Sequence, residues 1–175
     1  MALSKITTES LLDGEITTAK FATNVGGKVV QVVNVQSGAV ATGTTVIPQD
    51  DTIPQKTEGT EFLTLAITPT HASNKLIIDI VLHLSSSADN WMLSGLFQDT
   101  TANALNSSES YLTTTNGAHI HTYTHFMAAG TTSATTFKVR AGGDSSSTIT
   151  LNGAGAARKL GGVLSSSITI TEILV

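Results

Sequence analysis

The sequence predicts an all-β protein: a jelly-roll-like antiparallel β-sandwich over residues 28–175, preceded by a short extended N-terminal arm over residues 1–27. Three observations carry this. Apolar and polar residues alternate at period two almost everywhere beyond Lys28, the side-chain period of a strand. Turn-forming residues recur between these runs, as at Gly142-Gly143-Asp144. Ser and Thr supply roughly a quarter of the chain, far above ordinary usage, and Thr favours strands because its branched side chain fits a pleated surface.

The elements follow in order. Lys28 to Val35 is Val-rich and reads as the first strand. Ser37 to Gly59 is long for a structureless connection, so it is expected to hold a short strand near Thr44-Thr45-Val46-Ile47 or to form an extended arm. Glu61 to Ile67 is the next strand and stops at Pro69, which lacks the N–H that a ladder needs. Lys75 to Leu84 is the strongest: Leu76, Ile78, Ile80, Leu82 and Leu84 share one face, with Asp79 and His83 on the other. Asn90 to Phe97 follows, then a polar stretch from Gln98 to Asn116. Ala118 to Ala128, Ala134 to Arg140, Ser147 to Leu151 and Ser167 to Leu174 complete the set. With no alternating helices, about eight strands point to a sandwich or jelly roll rather than an α/β fold.

The arm is different. Lys5-Ile6-Thr7-Thr8 is echoed ten residues later by Glu15-Ile16-Thr17-Thr18, with the turn signal Asp13-Gly14 between them. It has few large apolar residues to bury on its own, so it is expected to pack against another protein or other copies. Gly26-Gly27 is a hinge candidate.

Composition excludes several function classes. Charged residues are 13% of the chain and the net charge is −4, with no basic run, which disfavours nucleic acid as a partner. The chain contains no cysteine, so neither a disulfide framework nor a thiolate metal site is possible. No apolar run approaches transmembrane length, and membrane insertion is not expected. No apolar stretch follows Met1-Ala2-Leu3-Ser4-Lys5, so no secretory signal is expected. A hydroxyl-rich β protein without such a signal suits release by lysis inside an assembled particle.

Candidate chemistry is sparse. His119, His121, Tyr123 and His125 share one face of a strand. If three chains met on an axis, His119 and His121 would supply six imidazoles for a metal; a polar sheet face is the simpler reading. Asp50, Asp51, Glu58 and Glu61 carry oxygens for calcium, but their spacing fits no calcium loop and a solvated loop explains them better. Gly153-Ala154-Gly155-Ala156-Ala157 resembles a phosphate loop only superficially and reads as a turn. Asp79, Asp89, Glu109 and Glu172 cannot be paired into a glycosidase dyad from sequence. Of Trp91, Tyr111 and Tyr123 as sugar-stacking aromatics, Trp91 is expected in the core and Tyr111 exposed in the polar loop. No catalytic, cofactor-binding or metal residue is assigned, no cofactor is expected, and the chain is read as non-enzymatic.

From about Ile47 onward the chain resembles a domain recurring in structural proteins of marine tailed phages. The stretches that carry the resemblance occur in order: Ile47-Pro48-Gln49-Asp50-Asp51-Thr52-Ile53-Pro54-Gln55 with Thr57-Glu58-Gly59, Ala66-Ile67-Thr68-Pro69-Thr70, and Leu96-Phe97-Gln98-Asp99-Thr100-Thr101-Ala102-Asn103-Ala104-Leu105. They continue through His125-Phe126-Met127, Ala129-Gly130-Thr131-Thr132-Ser133-Ala134-Thr135-Thr136-Phe137-Lys138-Val139-Arg140, Leu151-Asn152-Gly153, and Ser166-Ser167-Ile168-Thr169-Ile170-Thr171-Glu172-Ile173. The start Met1-Ala2-Leu3-Ser4-Lys5-Ile6 is similar to the opening of marine phage fibre and tail proteins. The resemblance implies the jelly-roll head of a trimeric fibre on the surface of a virion. Its implied partners are copies of itself, a virion protein holding the arm, and a host-surface receptor such as a glycan. A capsid decoration protein or head fibre shares the composition and fold class; a carbohydrate-binding module and a glycan depolymerase are further alternatives.

Overall fold

A computed structural model describes residues Lys28–Val175. The arm, its repeated Ile-Thr-Thr lines and the Gly26-Gly27 hinge lie outside the described residues. The strands are β1 (Val29–Ser37), β2 (Ala41–Gly43), β3 (Thr60–Ile67), β4 (Lys75–Ser86), β5 (Trp91–Gln98) and β6 (Asn106–Tyr111). They continue with β7 (Ala118–Ala128), β8 (Thr135–Gly143), β9 (Ile149–Leu151), β10 (Gly153–Ala154), β11 (Ala157–Arg158) and β12 (Ser166–Ile173). The only helix among the described residues is a single 3-10 turn at Leu160–Gly162.

Two antiparallel sheets face each other. One runs β1-β12-β4-β7; β9 continues the line of β12 along β4, and β2 pairs with β9. The other runs β3-β8-β5-β6. Eight long strands in this order make a jelly roll. The alternating face of β4 drives the packing: Leu76, Ile78, Ile80, Leu82 and Leu84 are buried and meet Ile168 and Ile170 of β12 and Leu63, Met92, Leu96, Phe137 and Val139 of the opposing sheet.

The connection after β1 departs from expectation. Its short strand is Ala41–Gly43, three residues before the predicted place, and residues 44–59 leave the sheet as an extended excursion. Ile47 is wholly buried and its N–H donates to the Gly143 carbonyl. Farther on, Gln55 bridges to Asn103. The excursion therefore covers part of the outer face of the β3-β8-β5-β6 sheet, over Gly142 and toward the β5–β6 connection. Gly142 makes this possible, since a Cβ there would lie 2.5 Å from the Thr45 carbonyl oxygen. Arg140 clamps the return, donating to the carbonyls of Glu58 and Gly59.

The polar stretch from Gln98 to Asn116 also contains a strand that hydrophobic periodicity could not show. β6 has no large apolar residue before Tyr111; its inward residues are Asn106, Ser108 and Ser110, of which Asn106 donates to the Thr124 carbonyl of β7 and Ser110 bonds His121 across the sandwich edge.

Candidate functional site

The strand register places the predicted polar face of β7 inside the molecule. His119, His121, Tyr123 and His125 do share a face, but it points toward β5 and β6; Ile120, Thr122, Thr124 and Phe126 point outward. His121 is buried between two serines. Ser94 Oγ lies 2.8 Å from its Nδ1 and Ser110 Oγ 2.9 Å from its Nε2. Both ring nitrogens are thus occupied, one donating and one accepting. Burial, with the neighbouring His119 adding to it, pushes His121 down to about 4, so the ring is neutral at physiological pH. Burial also lowers His125 and raises the Tyr123 phenol well above its usual range. The Tyr123 hydroxyl is buried near Ser94 but makes no hydrogen bond of acceptable geometry.

This corrects the idea of six imidazoles on a shared axis. A face turned into the sandwich cannot meet its symmetry mates, and His121 has no lone pair left without a serine partner. Nor does the Ser94–His121 pair make a nucleophile system, since the second ring nitrogen bonds Ser110 rather than a carboxylate.

The candidate carboxylates are each engaged separately. Asp50 accepts from the Thr52 hydroxyl and amide, which hold its carboxyl below the ordinary range. Glu58 accepts from the Gln55 amide, and Glu61 pairs with Lys138 and Arg140. Asp79 accepts from Thr124 on the outer face of the first sheet, and Asp89 from Thr115 in the loop after β6. Glu109 is exposed on β6. These positions make no facing pair of carboxylates.

Glu172, which could not be paired with another carboxylate from sequence, is the exception in burial. It points inward from β12 and is wholly covered. Its Oε1 accepts from the Thr70 amide and hydroxyl, each at 2.8 Å, and from Asn74 Nδ2 at 2.6 Å; Oε2 accepts from Gln31 at 3.1 Å. Burial pushes its carboxyl up, but these four donors outweigh burial and hold it below the ordinary range. The signal was legible: Glu172 continues the phase of the buried Ile168 and Ile170. The carboxylate staples the β3–β4 turn to β1 and β12.

The aromatic residues are rearranged as well. Trp91, expected in the core, is half-buried on the outer face of β5. Tyr111, expected in a loop, ends β6 directly opposite it. Their ring centroids are 5.2 Å apart with the planes tilted by 57°, a favourable cross-strand aromatic pair. The Gly153–Ala157 stretch forms the tight β10–β11 hairpin, in agreement with the turn expected there.

No known sequence family matches this chain, and no curated protein matches it. Among solved structures, the Eiger TNF of S. frugiperda is 11% identical over 82% of this chain and 93% of that one, with a TM-score of 0.42. The VP2 subviral particle of infectious bursal disease virus is 11% identical over 84% of this chain and 38% of that one, with a TM-score of 0.36. Likeness this distant carries no functional argument; the jelly-roll assignment rests on the strand order itself.

Exposed apolar side chains also lie on the outer face of β1-β12-β4-β7. Register aligns Val32, Thr171, Ile77 and Phe126 in one row across the four strands. Val32 is 56% exposed, Phe126 67% and Ile120 62%. The rows between them carry Asn34, Thr169, Thr124, Ser167 and Thr122, with Asp79 hydrogen-bonded to Thr124.

Proposed function

We propose that this chain is a virion structural protein, the non-enzymatic head of a trimeric phage fibre that contacts the host surface. One observation carries the reading. The outer face of β1-β12-β4-β7 presents exposed Val32, Ile120 and Phe126 among hydroxyl side chains, with few charges. A monomer gains nothing from leaving such side chains in water, whereas a second and third copy would bury them. Hydroxyl groups can be shared across such a contact without the desolvation penalty of charges. The ordered sequence resemblance to marine phage structural proteins supplies the virion setting.

The geometry also suits an arm-attached head. Lys28, the first described residue, lies beside the C-terminal residues, its carbonyl accepting from the Leu174 amide. The connections between β4 and β5, β6 and β7, and β8 and β12 lie at the opposite end, free to face outward. Light scattering on the full-length protein at dilute concentration tests the reading. A stable trimer is expected; a clean monomer overturns an autonomous fibre and favours a decoration protein that assembles only on a capsid lattice.

A further inference from the structure

The segment between β11 and β12, Arg158-Lys159-Leu160-Gly161-Gly162-Val163-Leu164, is built to display side chains that a soluble sandwich has no use for. Leu160 is 71% exposed and Val163 81% exposed. Arg158 and Lys159 beside them are exposed, and neither forms a salt bridge among the described residues. Leu160 has a φ of 48°, and Gly161 and Gly162 follow at 65° and 93°. A leucine in the left-handed region is strained, and here that strained residue carries an outward-facing apolar side chain.

The loop is also held. Asn152 is wholly buried at its base and donates to the carbonyls of Ser37 and Ala39, while Ser166 Oγ donates to Asn152 Oδ1 at 2.7 Å. Beneath the tip the backbone of Gly38 approaches so closely that a Cβ there would lie 1.9 Å from the Gly162 carbonyl oxygen. The tip is therefore preorganised. It sits at the end of the sandwich opposite Lys28.

We infer that this tip docks on an anionic lipid surface, with Leu160 and Val163 entering the interface and Arg158 and Lys159 meeting headgroup phosphates. Two aliphatic side chains flanked by two cations match a surface that is apolar within and negative at its rim. A polysaccharide would instead call for aromatic platforms and hydrogen-bonding groups at the tip. Only the outward direction of the loop rests on the fibre reading; the lipid contact rests on the loop.

Sedimentation of the full-length protein with vesicles tests it. Binding is expected to vesicles rich in phosphatidylglycerol, to weaken with salt, and to be absent from pure phosphatidylcholine. The Leu160→Ser/Val163→Ser variant is expected to lose at least about tenfold in partitioning, since each aliphatic group contributes at about that scale. Arg158→Glu/Lys159→Glu is expected to abolish binding. Both variants alter exposed side chains only, so unchanged melting is expected. Absence of binding to the anionic vesicles overturns the inference. So does full binding by the serine variant together with equal capture by dextran sulfate, which would make the tip a polyanion contact. A changed native mass in either variant also overturns it, by making the loop a contact between copies. A monomeric native protein that still binds vesicles would remove the fibre reading and leave this one standing.

Discussion

Ser94 Oγ and His121 Nδ1 lie 2.8 Å apart across the interior of the sandwich, joining β5 to β7 through a buried imidazole. Ser110 completes the arrangement from β6. The edge of the jelly roll where the two sheets approach is thus closed by polar contacts rather than by aliphatic packing. Such a network stabilises the fold only while every member keeps its partner.

The first prediction concerns pH. His121 titrates at about 4 in the folded protein, against 6.5 ordinarily. A depressed folded value means that the unfolded chain binds the extra proton first. The stabilisation is therefore complete above pH 6.5 and is lost as pH falls toward 4. The amount is roughly 3 kcal/mol. Denaturant midpoints measured between pH 7 and pH 4 should fall more steeply for the native protein than for His121→Gln. Parallel slopes would show that His121 does not contribute.

Tyr123 carries a buried hydroxyl without a hydrogen-bond partner. Tyr123→Phe removes the orphaned group and keeps the ring. It is expected to stabilise the fold by about 1 kcal/mol, near the lower end of the desolvation penalty for an unpaired polar group. A lower melting temperature for this variant would mean that the hydroxyl has a partner.

Glu172 is expected to be the most sensitive carboxylate. Glu172→Gln keeps one oxygen for the Thr70 and Asn74 donors but loses the charge and sets its NH2 group against the Gln31 amide donor, and should destabilise by about 2 kcal/mol. Its folded carboxyl lies below the ordinary value of 4.5. Its contribution is therefore present above pH 4.5 and is lost as pH falls through the depressed folded value. Acid unfolding followed by circular dichroism should lose its steepest part in Glu172→Gln.

Phe126 tests the assembly directly. Phe126→Asp places a charge on the outer sheet face, 67% exposed in the single chain. It should leave the melting of the isolated fold nearly unchanged, because surface substitutions of this kind usually act within about 0.5 kcal/mol. It should convert a trimer to monomer in light scattering. A trimer that persists would place the subunit contact elsewhere.

Gly38→Ala probes the packing beneath the displayed loop. The added methyl would collide with the Gly162 carbonyl, a backbone group that cannot rotate away. Destabilisation of about 1–3 kcal/mol is expected, as for overpacking in a tight interior. Hydrogen exchange should report the loss first in the β11–β12 segment.

The strands of this protein were legible where one face is apolar and the other is not. In β4 the phase of Leu76, Ile78, Ile80, Leu82 and Leu84 is a local property of the chain, and a strand has no other way to bury that face. The same reasoning found β3, β5, β8 and β12 and the sandwich they build. It had no purchase on β6, whose inward residues are Asn106, Ser108 and Ser110. Nor could it orient β7, where Ile120 and Phe126 lie on one face and Tyr123 and Met127 on the other, leaving the two nearly balanced in apolar content. The tertiary structure decided both. Serines of β5 and β6, 27 and 11 residues from His121, arrive to bond its ring and make the histidine face the buried one. Periodicity reports what a segment would bury against an apolar partner. Which polar face becomes interior depends on hydrogen-bond partners that only the closed sandwich brings together.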